Sequence, residues 1–215
     1  KLHLYDDTIN RFKDAIRLKP NYIEAHFQLS QVYYWTGDLN AALKAFTKVT
    51  EIDPKNIEGH YRRGDVFQRL MDHESAVKAF KKALVINPNH KLANYHLGIS
   101  YIKLERPEDA LKSFKKTTLL DPDFLEAHYQ LGATFAYLKK YKKSIDPLKK
   151  AIQLSPEFSK ALFELGNSYN NLTMYQDAID PLEKAIMINS LYSDAHLALG
   201  LANSKVEKYD QAIVH

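Results

Sequence analysis

Between Leu125 and Phe158 the apolar positions fall into two runs at helical spacing. Ala127, Leu131, Phe135 and Leu138 make the first; Tyr141, Ile145, Leu148, Ala151, Ile152 and Leu154 make the second. Each run predicts one amphipathic helix, and the short link between them predicts an antiparallel pair. The same double run recurs along the chain. Pro20, Pro54, Pro88, Pro122 and Pro156 are spaced by 34 residues without slippage, and Ser190 takes the next expected place. A period of this length predicts stacked supersecondary units, each burying its apolar face on its neighbours. The prolines stop the second helix of each unit, because the ring blocks continuation and biases the preceding residue to extended backbone.

Numbering each unit from three residues after its predecessor's proline brings the repeats into register. Slot seven holds Leu29, Leu97, Leu131, Leu165 and Leu199, and slot eight Ser30, Gly64, Gly98, Gly132, Gly166 and Gly200. Slot 11 is aromatic at Tyr33, Phe67, Tyr101, Phe135 and Tyr169. Slot 20 is small at Ala42, Ala76, Ala110, Ser144, Ala178 and Ala212, and slot 24 is Phe46, Phe80, Phe114, Leu148 and Leu182. Small residues at eight and 20 let the paired helices cross closely, and the large ones fill the space around the crossing. In length and preferred residues the unit resembles the tetratricopeptide repeat. That resemblance covers the whole chain. It implies an all-α fold, an α-solenoid of antiparallel helix-turn-helix units wound as a right-handed superhelix.

The expected organisation is a single array. Residues 1–22 read as the second helix of a truncated repeat, with Tyr5, Thr8, Phe12 and Ala15 in its slots. Full repeats are expected at 23–56, 57–90, 91–124, 125–158 and 159–192, and 193–215 as a truncated repeat ending partway through its second helix. Neither end carries the polar face of a capping repeat, so the chain is expected to be a fragment of a longer protein. Pro147 and Pro181, in SIDPLKKAI and AIDPLEKAI, predict a bend or a lost backbone bond in two second helices. Arg63 replaces leucine in slot seven. Either its stem packs while its head finds Asp65 or Glu58, or it makes an anionic contact together with Arg62.

Composition narrows the chemistry. The chain has no cysteine, which excludes disulfides, thiolate metal sites and cysteine catalysis. Five of its seven glycines occupy slot eight, so no glycine-rich phosphate loop is left. No apolar run reaches the roughly 20 residues of a membrane span, and no signal peptide is visible. No membrane insertion is expected, and a cytoplasmic setting is the reading taken. The net charge of +4 decides nothing by itself. Lys115-Lys116, Lys139-Lys140, Lys142-Lys143 and Lys149-Lys150 fall mostly on second helices among acidic residues. They are read as a solvated face, with no nucleic acid as partner.

No catalytic constellation emerges, and no enzyme activity is expected. His26, His60, His128 and His196 share slot four and recur because the repeat recurs, which places them as packing residues, not metal ligands. Asn171-Leu172-Thr173 forms a glycosylation sequon of the kind chance supplies in an asparagine-rich chain. No cofactor and no metal are implied.

The resemblance implies that first helices line a concave groove through slots two, five, six, nine, 12 and 13. Slot five reads Phe27, Tyr61, Tyr95, Tyr129, Phe163 and Leu197, an aromatic row suited either to gripping a peptide or to packing within the unit. The lining is polar and partly basic around Gln31, Tyr34, Arg62, Asp65 and Arg69. It turns more apolar at Ile99, beside His96 and Gln130, and amide-rich at Asn167 and Asn170. A mixed surface of this kind suits a protein segment better than a polyanion. Relatives that clamp the acidic terminus of a heat-shock chaperone use basic and asparagine residues at set slots. Arg62 within HYRRG matches one of them, but Glu58 and Gln28 stand where lysine and asparagine belong. The asparagine ladder that sugar-transferase relatives carry in slot six is also missing.

The expected function is a protein–protein interaction scaffold with a peptide or protein ligand. Two alternatives stand beside it. One is a substrate-recruiting or regulatory segment of a larger enzyme or co-chaperone; the other is a platform that self-associates through uncapped ends.

Overall fold

The repeat pattern becomes helices at the expected places. The computed structural model describes residues 2–206, with side chains from residue 5 onward. Among these residues there are twelve helices and no strand. Two compact units form, one up to Ala110 and one from Leu111 on. The first holds α1 (Leu2–Leu18), α2 (Ile23–Thr36), α3 (Leu39–Ile52), α4 (Ile57–Arg69), α5 (His73–Ile86) and α6 (Lys91–Lys103). The second holds α8 (Leu125–Tyr137), α9 (Tyr141–Leu154), α10 (Ser159–Asn171), α11 (Tyr175–Ile188) and α12 (Ser193–Lys205). Between them in sequence, α7 (Pro107–Leu120) gives its first turn to one unit and the rest to the other. The expected last second helix, with Ala212, lies outside the described residues.

Within each unit every helix packs on the next in sequence, and alternate first helices also touch: α4 on α6, α8 on α10, α10 on α12. The slot chemistry explains the close crossings. A Cβ added to Gly64 would stand 2.5 Å from Phe80, one on Gly132 2.6 Å from Leu148, and one on Gly166 2.5 Å from Leu182. Real side chains do not approach so closely, so only glycine fits while those slot-24 groups stay in place. All five slot-24 residues are fully buried, as are Ala42, Ala76, Ala110, Ser144 and Ala178 of slot 20. Ser144 tolerates burial because its hydroxyl donates to the Tyr141 carbonyl at 2.6 Å and lies 2.8 Å from Ser168 Oγ.

The turn inside each pair relies on one residue in left-handed backbone, always slot 15. Gly37 has φ 85°, and Met71, Glu105, Lys139 and Thr173 have φ 62°, 55°, 56° and 61°. The turn between successive repeats is held differently. Its extended residues are Asp53, Asn87, Ser155 and Asn189, and Asn189 keeps that geometry although Ser190 follows in place of proline. Nε2 of His26, His60, His128 and His196 lies 2.8, 3.0, 2.9 and 3.1 Å from the carbonyls of Pro20, Pro54, Pro122 and Ser190. A carbonyl only accepts, so each ring donates. Asn94 in the same slot donates to Pro88 at 3.1 Å. The histidines are thus structural ties between a first helix and the preceding turn.

Helices α9 and α11 run unbroken through Pro147 and Pro181. The carbonyls of Lys143 and Asp177, four residues earlier, receive no bond from the proline nitrogens, which is the expected loss.

Candidate interaction surface

In the first unit the slot-five rings pack as well as face outward. Phe27 is half-buried edge-on to Phe46, with centroids 5.7 Å apart. Tyr61 is only 4% exposed, lying 4.9 Å from the His90 ring and 5.9 Å from Phe80. Burial, with Asp65 and Glu58 nearby, pushes its hydroxyl up to about 12 despite Arg62. Tyr95 is half-buried against the His96 ring at 5.3 Å, and Ile99 and Gln31 are half-buried on the same helix faces.

Charged groups run along the same helices. Arg62 Nε donates to Glu58 at 2.7 Å, and its Nη1 stands 4.0 Å from Asp65. Glu58 Oε2 in turn lies 3.8 Å from His90 Nε2. The Arg69 guanidinium covers the Tyr34 ring at 4.5 Å and donates to the Tyr34 carbonyl at 3.3 Å. Burial first, then Asp65, raises the Tyr34 phenol, while Arg69 opposes the shift. His96 donates from Nδ1 to Gln68 Oε1 at 3.0 Å, and burial lowers its pKa, with Asp65 opposing and Arg62 assisting. The ring is therefore held neutral as an Nδ1–H tautomer.

The second unit repeats the packing with different partners. Tyr129 lies on Phe158 at 4.8 Å and Phe163 on Tyr192 at 4.9 Å. Between them Glu164 is half-buried, and burial raises its carboxyl. Burial and the nearby Glu164 push Tyr192 up to about 12. Gln130 and Asn167 are half-buried, and Asn167 accepts from Asn171. Asn170, 6% exposed, donates to the Ala198 carbonyl at 2.8 Å and so ties one repeat to the next.

His90, Phe158 and Tyr192 were not among the residues singled out from sequence. All three occupy slot 34, which also contains Asn56. Asn56 and His90 cap the following helix, accepting from Gly59 N at 2.8 Å and Ala93 N at 3.1 Å. Phe158 and Tyr192 make no cap bond and give the slot-five ring a platform, a role His90 shares toward Tyr61. The signal in sequence is the change at that slot from the cap formers Asn56 and His90 to the aromatics Phe124, Phe158 and Tyr192.

Most lysines of the basic tract are exposed, and slot-25 lysines lie over rings of the next repeat. Lys81 sits over Tyr101 at 5.7 Å, Lys115 over Phe135 at 5.3 Å and Lys149 over Tyr169 at 5.9 Å, always slot 25 over the next slot 11. Lys150 pairs with Asp123 at 3.0 Å. Arg63 corrects the expectation for its head group. It turns away from Asp65, Glu58 and Arg62, and Nη1 donates to the Thr50 hydroxyl at 3.2 Å. Among the described residues no group of histidines and carboxylates could hold a metal ion, and no helix is long and apolar enough to cross a membrane.

These features define an all-α repeat protein in which successive helix pairs lean on one another and leave first-helix faces open. The chain belongs to the tetratricopeptide repeat family: models of that repeat match residues 3–62, 57–90, 95–157 and 160–186. No curated protein sequence matches it. Among solved structures it is similar to YrrB, described as a TPR protein with an unusual peptide-binding site. Identity there is 23%, coverage 86% of this chain and 95% of that one, and the TM-score 0.79. It is similar to MamA at 32% identity over 70% of this chain and 88% of that one, with TM-score 0.68. It also resembles PilF of Pseudomonas aeruginosa at 20% identity over 89% and 87%, with TM-score 0.71. Family and fold make it a protein-interaction scaffold.

Proposed function

We propose that the chain binds an extended or helical segment of a partner protein along the faces made by its first helices, with no catalysis of its own. The observation that carries this reading is a set of large side chains held open on those helices. Trp35 is 66% exposed and Tyr137 72%. Rings left in water next to fixed hydrogen-bonding groups are what a peptide-gripping surface requires. On α4, Arg62, Asp65 and Arg69 supply charges already held by ion pairs and by a ring contact to Tyr34, so little side-chain entropy is left to lose on binding. The peptide-binding site named for YrrB belongs to that protein, and a comparable use is part of the proposal here. The uninterrupted 34-residue period supports treating the repeats as one array.

The test uses peptides selected from a display library on the wild-type protein. Trp35→Ala and Tyr137→Ala remove exposed rings and should leave helical content unchanged. Each should weaken the peptides of its own unit by about tenfold, as loss of an aromatic anchor does. Selected peptides whose affinity neither change affects would move the interface off the first helices.

A further inference from the structure

Arg63 stands in slot seven of α4, where the other repeats bury leucine. Two cavities meet at it. The larger, about 480 Å³, opens between α3 and α5 with α4 as its floor, and its lining includes Thr50, Glu51, His60, Arg63, Lys81 and Lys82. The smaller, about 280 Å³, shares Arg63 and Lys82 and adds Lys78. Neither involves Tyr61, Asp65 or Gln68, which lie in the groove slots of the same helix.

The chemistry of this notch is unbalanced. Arg63 Nη1 has the Thr50 hydroxyl, but Nε is buried with no acceptor, and Glu51 acts on the guanidinium through space without hydrogen-bonding to it. His60, 5% exposed, uses Nε2 on Pro54 and keeps Nδ1 buried without a partner. Lys81 rests over the Tyr101 ring, and Lys81 and Lys82 both stand exposed at the rim, with no ion pair to either among the described residues. The one acid in the lining, Glu51, is paired with Lys48 at 3.4 Å. Half-burying a guanidinium with no directly bonded counter-charge is costly, and leucine would fill the slot at no such cost. Three cations against the single Glu51 leave the notch net positive, and a planar guanidinium backed by two ammonium groups suits a phosphoryl dianion. The larger cavity has room for more than a bare ion.

We propose that the notch formed by Arg63, Lys81 and Lys82 between α3 and α5 binds a phosphomonoester dianion carried on a side chain of a partner polypeptide. Arg63 supplies the fixed fork on the floor, and Lys81 and Lys82 close over the phosphoryl oxygens. The site lies outside the first-helix groove and stands whether or not a peptide binds there.

The experiment follows the unfolding temperature of the wild-type chain against phosphoserine, inorganic phosphate, succinate and sodium chloride at equal ionic strength. Phosphoserine is expected to give a saturable rise that chloride does not, with succinate much weaker. Arg63→Leu restores the residue used by the other repeats, so the variant folds, and it should abolish the phosphoserine response. Lys82→Gln should weaken it by roughly tenfold, the value of one charge-assisted hydrogen bond. A response shared by wild type and Arg63→Leu, or no saturable response in wild type, overturns the site. Succinate matching phosphoserine overturns the phosphoryl assignment, and inorganic phosphate binding more tightly overturns the side-chain source.

Discussion

The Gln68 side-chain amide donates to the main-chain carbonyl of His96 across 2.8 Å, 28 residues further on, and Asn170 does the same to Ala198 at the same distance and separation. Slot 12 therefore joins each of these first helices to the one in the next repeat. Gln68 does more, because its amide also reaches Ser100 Oγ at 2.7 Å while its oxygen receives the His96 Nδ1 proton at 3.0 Å.

Gln68→Leu keeps the volume and removes the bonds, stranding the His96 donor in a mostly buried site. Urea unfolding should register a loss of about 1–3 kcal/mol, the cost of an unsatisfied buried polar group. A change within about 0.5 kcal/mol, typical of an indifferent surface position, would show that the tie carries no stability.

Thr173 holds φ 61° at slot 15, the position where Gly37 sits at φ 85° in the first full repeat. A β-branched residue is strained there, and glycine is not. Thr173→Gly is expected to stabilise the protein by about 1 kcal/mol, the strain relieved less the added entropy of the unfolded chain. Thermal unfolding checks it, and an unchanged or lowered midpoint would mean that the turn is unstrained.

Burial holds the Glu164 carboxyl above its ordinary 4.5, with Tyr129 and Tyr192 against it. In the window above 4.5 the folded chain then binds more protons than the unfolded one, so stability falls as pH rises through the folded value. The penalty is complete at neutral pH and absent below the ordinary value. Glu164→Gln should raise the unfolding temperature at pH 7 by a few degrees, with the gap closing below about pH 4. A gap that persists unchanged in acid would assign the effect to packing.

Periodicity made the helices, the repeat boundaries and the close-packed slots legible in the chain alone. Leu, Gly and Phe recurring every 34 residues leave one way to bury themselves, and Gly64 against Phe80 at 2.5 Å is that arrangement. What each slot-five ring rests on was not legible. For Tyr61, Tyr129 and Phe163 the platform comes from slot 34, 29 residues further on in sequence and next to the ring only after the helix pair has closed.

Local spacing fixes which face of a helix is apolar, because every turn repeats the same geometry, and so the solenoid was determined by sequence alone. The company kept by each polar group depends on side chains from separate helices. Tertiary structure alone decided that the slot-four histidines serve turn carbonyls, that Asn170 ties neighbouring helices, and that Arg63 bonds to Thr50. Those outcomes hang on distances of a few ångströms between residues that sequence order keeps far apart.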